Sequence, residues 1–466
     1  MPASPSATMP LADLRAALVG RVIAPEDEEY DEARTVVAGG IDRRPLVIAR
    51  AANDTDVAQV IELARETGLP LAVRCGGHSG AAHSVVDDGI VLDLRDMTAL
   101  DIDVDGRTAW AEAGLTAGAY STAVAAHGLA TGFGDTGSVG LGGITTGGGV
   151  GYLGRKHGLT IDSLIAADVV TADGQRVRVD AEHHPDLFWA IRGGGGNFGV
   201  VTRFQFRLHP LASTVGGMLI LPATADTIAG FIAAAEAAPD ELSTIANVMP
   251  CPPMPFVPEE HHGKIVILGM LTYAGDTEAG ERALAPFRAL ATPITDMLKE
   301  QPYPEMFPPE DDSYHPTAVA RTMFIDRVDR GDAQTIIEFL TASDAAMRVA
   351  QLRVLGGAIA RVPNDATAYA HRASRIMVNV AAFYEGQDDK AIREAWVAEF
   401  AAALHQGDTG AYVNFLADEG ETRVRAAYPG DTWDRLAAIK ARYDPKNLFR
   451  LNQNVPPASG SDAAAL

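Results

Sequence analysis

Residues 46–50, LVIAR, form a short apolar run that predicts a strand. In NDTDVAQVIELARETGLP, which follows, Val57, Val60, Ile61 and Ala64 recur at helical spacing. Asn53 or Thr55 can cap that helix, and Gly68 and Pro70 stop it. LAVRC (71–75) predicts a second strand, so the three elements make a β-α-β unit with parallel strands. GIVLDLRDM (89–97) adds a strand, and TAGAYSTAVAAHG a helix ended by Gly128. After a glycine-dense region at 131–160, IAADVVTADG and RVRVD predict strands and HPDLFWAIRGG a helix. VVTRFQFRLHP (200–210) alternates as an exposed edge strand would, and Pro210 closes it.

The texture then changes. Residues 211–405 carry long helical patterns, such as ADTIAGFIAAAEAAP and DTEAGERALAPFRALA, between strands such as KIVILGMLTYA and RIMVNVAAFYE. Two proline-rich stretches, PCPPMPFVPEE and EQPYPEMFPPEDDSYHP, predict irregular chain. This region reads as a second domain of sheet plus helices. YDPKNLFRLNQNVPP (443–457) is rich in Asn and predicts docking rather than a free end, with a disordered tail at 458–466.

A chain of 466 residues has room for two or three domains. No run of about 18 apolar residues predicts a membrane span, and the N-terminus does not read as a secretory signal. A net charge of −23 argues against nucleic acid and anionic membranes as partners. Cys75 and Cys251 are the only cysteines, so no disulfide framework or multi-cysteine metal site can form, and a cytoplasmic location is expected. Gly194, Gly196 and Gly199 formally fit GxGxxG, but a helix precedes them and a strand follows, the reverse of the dinucleotide fingerprint. There is no P-loop and no GxSxG, and His78 with His83, five apart in a loop, is a weak metal pattern. The run TGFGDTGSVGLGGITTGGGVGYLGRKHGLT costs so much backbone entropy that close approach to a large flat or anionic ligand is its best account; tight turns in a compact sheet are the alternative.

Three stretches together resemble one family. RCGGHS (74–79) resembles the flavin-attachment loop of the vanillyl-alcohol-oxidase superfamily, GSVGLGGITTGGGVGYLGRKHGLTIDSL its long glycine signature, and AYVNFL with YDPKNLFRLNQNVPP the C-terminal segment of the berberine-bridge-enzyme-like subgroup. The likeness spans about residues 40 to 457. It implies an α+β fold: a two-part FAD-binding domain of the VAO/PCMH type at 1–210, a substrate domain at 211–405 whose sheet is backed by helices, and a segment at 406–457 that returns to the FAD domain. It implies FAD, joined covalently to His78. A second link uses a cysteine where this chain has Thr136, so a single link is expected. Cofactor contacts are then expected from Arg74, Cys75, Gly76, Gly77, His78, Ser79, Thr136, Gly137, Ser138, Gly140, Leu141, Gly142, Gly143, Gly147, Tyr152, Gly199, Val200, Asn452 and Asn454, with Arg74 and local N–H groups on the pyrophosphate.

The resemblance also implies an oxidase. Hydride passes from a small-molecule alcohol, amine or sugar-like carbon to the flavin, a base takes the proton, and O2 reoxidises the flavin to give H2O2. An oxygenase or oxidative cyclase acting on a natural-product skeleton, a dehydrogenase with another acceptor, and a flavin protein without catalysis are the alternatives. The base is where the chain departs. Phe415 holds the position of the family's usual catalytic tyrosine. Tyr412, Asn379 and Asn414 are the candidate catalytic residues, with Tyr152 as another possible base. In an extended segment Tyr412 and Phe415, three apart, would point to opposite faces. A monomer or small homo-oligomer is expected.

Overall fold

The computed structural model describes residues 11–309, 311 and 313–459. Strands β1 (Arg21–Ile23), β2 (Val47–Arg50), β3 (Leu71–Arg74) and β4 (Ile90–Asp93) make one sheet in the order β1-β2-β4-β3. The β-α-β unit is parallel as expected, but β4 lies between β2 and β3 and pairs with both. All four residues of β4 are buried, which suits the inner position. Helix Asp54–Thr67 makes the crossover. Asn53 caps it by accepting from Thr55 and Asp56 N–H, and Gly68, at φ 68°, ends it.

A second, antiparallel sheet contains β5 (Leu100–Asp103) and β6 (Thr108–Glu112). The two-residue β7 (Leu129–Ala130) lies outside it. The sheet continues with β8 (Leu164–Val170), β9 (Arg176–Val179) and β10 (Val200–Arg207), in the order β5-β6-β10-β8-β9. The alternation at 200–207 suggested an edge strand, yet β10 is central and pairs with β6 and β8. Alternation reports which side chains are buried; it says nothing of whether the strand's backbone edges are paired. β11 (His209–Pro210) pairs with β7.

The third sheet is built from β12 (Thr214–Pro222), β13 (Leu242–Pro250), β14 (Ile265–Tyr273), β15 (Thr295–Asp296), β16 (Lys299–Gln301), β17 (Ala318–Ile325), β18 (Arg348–Val354) and β19 (Ile376–Phe383). Its order is β15-β12-β14-β13-β18-β19-β17, with β16 beside β12. Helices Ala225–Ala237, Thr277–Arg288, Arg330–Ala342 and Gly386–Leu404 cover one face, where Val248, Leu352 and Val378 meet Phe231, Phe287 and Phe400. The alternate residues face the other way. Ile245 packs with Tyr152 and Leu153, and Met377 and Phe324 pack with Val150 and Tyr412. That bare face therefore closes over the glycine-rich segment.

The 443–457 segment docks, as its composition suggested. Phe449 and Val455 are buried. The Asn197 amide donates to Gln453 O and its oxygen accepts from Val455 N–H. Of the tail expected to be disordered, residues 460–466 lie outside the described residues, as do residues 1–10 of the N-terminal stretch. No helix among the described residues is long and apolar enough to cross a membrane.

Candidate active site

The two glycine motifs meet backbone to backbone. A Cβ on Gly76 would land on Gly140 N, and one on Gly140 on Gly76 N. This crossing brings the His78 loop against the glycine-rich segment, where Ser138 Oγ lies 2.8 Å from His78 Nε2. Leu141–Thr146 forms a short helix at the same crossing. Gly142 N–H donates to Ala113 O at 3.0 Å, and burial, then the Asp93 charge, pushes the Cys75 thiol up to about 12.

The C-terminal segment arrives as a turn, not a strand. Val413–Phe415 is a 3-10 helix, with Tyr412 just before it. A 3-10 turn repeats every three residues, so Tyr412 and Phe415 fall on one side. Their rings sit 5.1 Å apart, edge to face. The expectation of opposite faces is therefore corrected. Tyr412 Oη accepts from Gly149 N–H (2.9 Å), Val150 N–H (3.3 Å) and Asn414 Nδ2 (3.0 Å). Burial raises the Tyr412 pKa against these hydrogen bonds. Asn414 Nδ2 also donates to Ile144 O at 3.2 Å, and a Cβ on Gly147 would collide with the Asn414 side chain.

These elements enclose a cavity of about 400 Å³. Of the expected residues, Cys75, Gly76, Gly77, His78, Ser79, Thr136, Gly140, Gly142, Gly143, Gly199, Val200, Asn452, Tyr412 and Asn414 line it. The others do not. Arg74 is turned into the core, where Nη2 meets Asp93 Oδ2 at 2.8 Å and bonds Ala33 O, so its guanidinium is committed to the fold. Leu141 is core, Gly137 O accepts from Gly118 N–H, and Ser138 acts on His78 from behind. Gly147 makes room for Asn414. Tyr152 lies in a small neighbouring pocket with Arg353, and burial raises its pKa. Asn379 stands on β19 between Gln351 and Thr322, outside the cavity wall, and Asn454 lies just beyond it.

Several lining residues escaped the sequence reading: His83, Ser84, Asp135, Gly195, Gly196, Phe449 and Gln453. Asp135 had a signal, because it is the one charged residue between Leu129 and Gly154. His83 was considered only as a metal ligand, and among the described residues no metal-binding cluster forms. The wall fits a large, flat, polar cofactor. His83 Nε2, Ser84 Oγ and Asn452 Oδ1 are buried without a protein partner, so they are available to a ligand. Burial lowers the His83 pKa, with Asp418 opposing, which favours the neutral ring. A Cβ on Gly143 would meet nothing within 4 Å, so that glycine opens onto empty space.

Comparison with known proteins agrees with this geometry. The FAD binding domain family matches residues 45–180, and the berberine and berberine-like family matches residues 411–456. An uncharacterized FAD-linked oxidoreductase of Bacillus subtilis (strain 168), YvdP, is 32% identical over 462 residues, covering 95% of this chain and 99% of that protein. (R)-6-hydroxynicotine oxidase of Paenarthrobacter nicotinovorans is 29% identical over 453 residues, covering 94% and 97%. The crystal structure of 6-hydroxy-D-nicotine oxidase from Arthrobacter nicotinovorans superposes with a TM-score of 0.84 at 28% identity, covering 95% of this chain and 98% of that one. The chain belongs to the FAD-linked oxidoreductases of the vanillyl-alcohol-oxidase superfamily, in the berberine-bridge-enzyme-like subgroup.

Proposed function

We propose that the chain is an oxidase carrying FAD on one covalent link, from His78, and oxidising an alcohol, amine or sugar-like carbon with O2 reduced to H2O2. The observation that carries this reading is His78 lining the cavity with its ring held by Ser138. Bound FAD supplies the two-electron acceptor, which no side chain can. The chain supplies binding and orientation. Gly143 leaves room for the cofactor, and His83, Ser84 and Asn452 offer it unmet polar atoms. A single link is supported twice. Thr136 lines the cavity where a second-link cysteine would stand, and the nearby Cys75 thiol, pushed up to about 12, holds its proton.

In this reading Tyr412 and Asn414 are positioning residues. Three N–H donors already hold Tyr412 Oη against the glycine-rich segment, and burial raises its pKa, so the phenol keeps its proton and fixes the loop. Phe415 gives the substrate side of the cavity an apolar wall. The test is a panel of alcohols, amines and oligosaccharides incubated in air with peroxide detection. Peroxide forming in step with product is expected. Substrate oxidation that proceeds only with an artificial acceptor, without peroxide, would contradict it.

A further inference from the structure

Phe415 cannot take a proton, and the Tyr412 hydroxyl is committed to Gly149, Val150 and Asn414, so the substrate proton needs an acceptor elsewhere. Asp135 is the one carboxylate among the described residues that line the cavity. Its Oδ2 lies 2.6 Å from Nη2 of Arg353, which reaches across from β18 of the third sheet. Arg353 is nearly buried, and its guanidinium stands 5.3 Å from the Phe415 ring centroid. Gln351 Oε1 accepts from Arg353 Nε at 3.1 Å and from Nη2 at 2.7 Å. Gln351 Nε2 donates onward to Asn247 Oδ1 at 2.9 Å. One guanidinium therefore binds Asp135 and covers Phe415. A quarter of the Asp135 side chain, 25%, stays exposed.

We infer that Asp135 is the proton acceptor of the oxidation and Arg353 its positioning residue. This rests on the flavin reading above. The step balances as follows. The substrate C–H leaves as hydride, with its electron pair, to oxidised flavin. The O–H or N–H proton on the same carbon's heteroatom passes to the Asp135 carboxylate. C=O or C=N forms, and Asp135 returns the proton to solvent. Arg353 keeps the carboxylate aimed between turnovers. Phe415 then has a different task from a phenol: its ring face covers the guanidinium.

Asp135→Asn keeps the shape and removes the basic oxygen. It should hold as much flavin as the parent chain. It should slow anaerobic flavin reduction about 10²–10⁴-fold, by any alcohol or amine the parent oxidises. Asp135→Glu, which keeps a carboxylate, should recover part of that rate. A second arm needs no substrate. Sulfite is an anion that adds to bound flavin, and it should bind about tenfold tighter to Asp135→Asn, because a negative charge facing the same space is gone. If Asp135→Asn fails to fold or loses flavin, the neutral pair Asp135→Asn with Arg353→Gln is measured in its place, with the same expected rate loss. Reduction at the parent's rate or unchanged sulfite affinity overturns the assignment. A parent chain that binds no flavin overturns the proposed function instead.

Discussion

Gly142 and Gly143 are neighbours with different tasks. A Cβ on Gly142 would strike Cys75 Sγ, so Gly142 is required by the packing of the chain itself. A Cβ on Gly143 meets nothing, so Gly143 leaves space for a ligand. Gly143→Val should therefore give folded protein with little flavin, whereas Gly142→Val should fold poorly. Soluble yield and visible flavin absorbance per chain check both, and full flavin in Gly143→Val would contradict the cradle. Tyr412 carries a similar distinction. Its hydroxyl satisfies Gly149 and Val150 N–H, which are otherwise short of partners. Tyr412→Phe should cost about 1–3 kcal/mol in unfolding free energy. It should slow flavin reduction by less than about tenfold, well short of the loss expected for a general base. A thousandfold loss with flavin intact would make Tyr412 the base after all.

At the scale of elements, the C-terminal segment is held by one buried charge pair. Lys440 Nζ, on helix Asp431–Tyr443, donates to Asn197 O at 2.6 Å, Asp444 Oδ2 at 2.6 Å and Phe449 O at 2.9 Å. Asp444 also accepts from Leu448 and Phe449 N–H. Both side chains are fully buried. Lys440→Met strands the Asp444 carboxylate, so it should cost about 3–5 kcal/mol. Phe449 and Asn452 line the cavity, so flavin content should fall with stability; calorimetry and absorbance measure the pair of effects. Unchanged stability would contradict the clamp. The sequence made the helices, strands and docking tail legible because each depends on local spacing and caps. The 3-10 turn at 413–415 was not legible, because three residues hold no periodicity to read. Nor was the centre position of β10, which is decided by partners distant in sequence. The glycine motifs marked the right loops, but not which glycines serve a ligand. Gly76 and Gly140 need each other, and only their crossing reveals it.

At the scale of the whole molecule, the His78 loop, the glycine-rich segment and the C-terminal segment line the cavity, and the bare face of the third sheet packs on the glycine-rich segment beside it, with Arg353 reaching Asp135. His157 stacks on His209 at 4.0 Å. Burial, then His209 and Lys156, pushes His157 from its ordinary 6.5 down to about 3; burial also lowers His209. Between those two values the unfolded chain binds a proton that the folded chain refuses. Stability should therefore fall as pH drops below about 6.5. Thermal midpoints taken from neutral pH to about pH 5 should decline, and less steeply in His157→Phe. An equal decline in both would remove His157 from the cause. The central claim, that the His78 loop exists to carry the flavin, is tested most directly by acid precipitation and peptide mapping of the purified protein. The claim predicts a pellet that stays yellow and flavin mass on a single peptide, the one containing His78, with His78→Ala releasing its flavin into the acid supernatant. Flavin wholly released from the parent chain, or found on any other peptide, would contradict it.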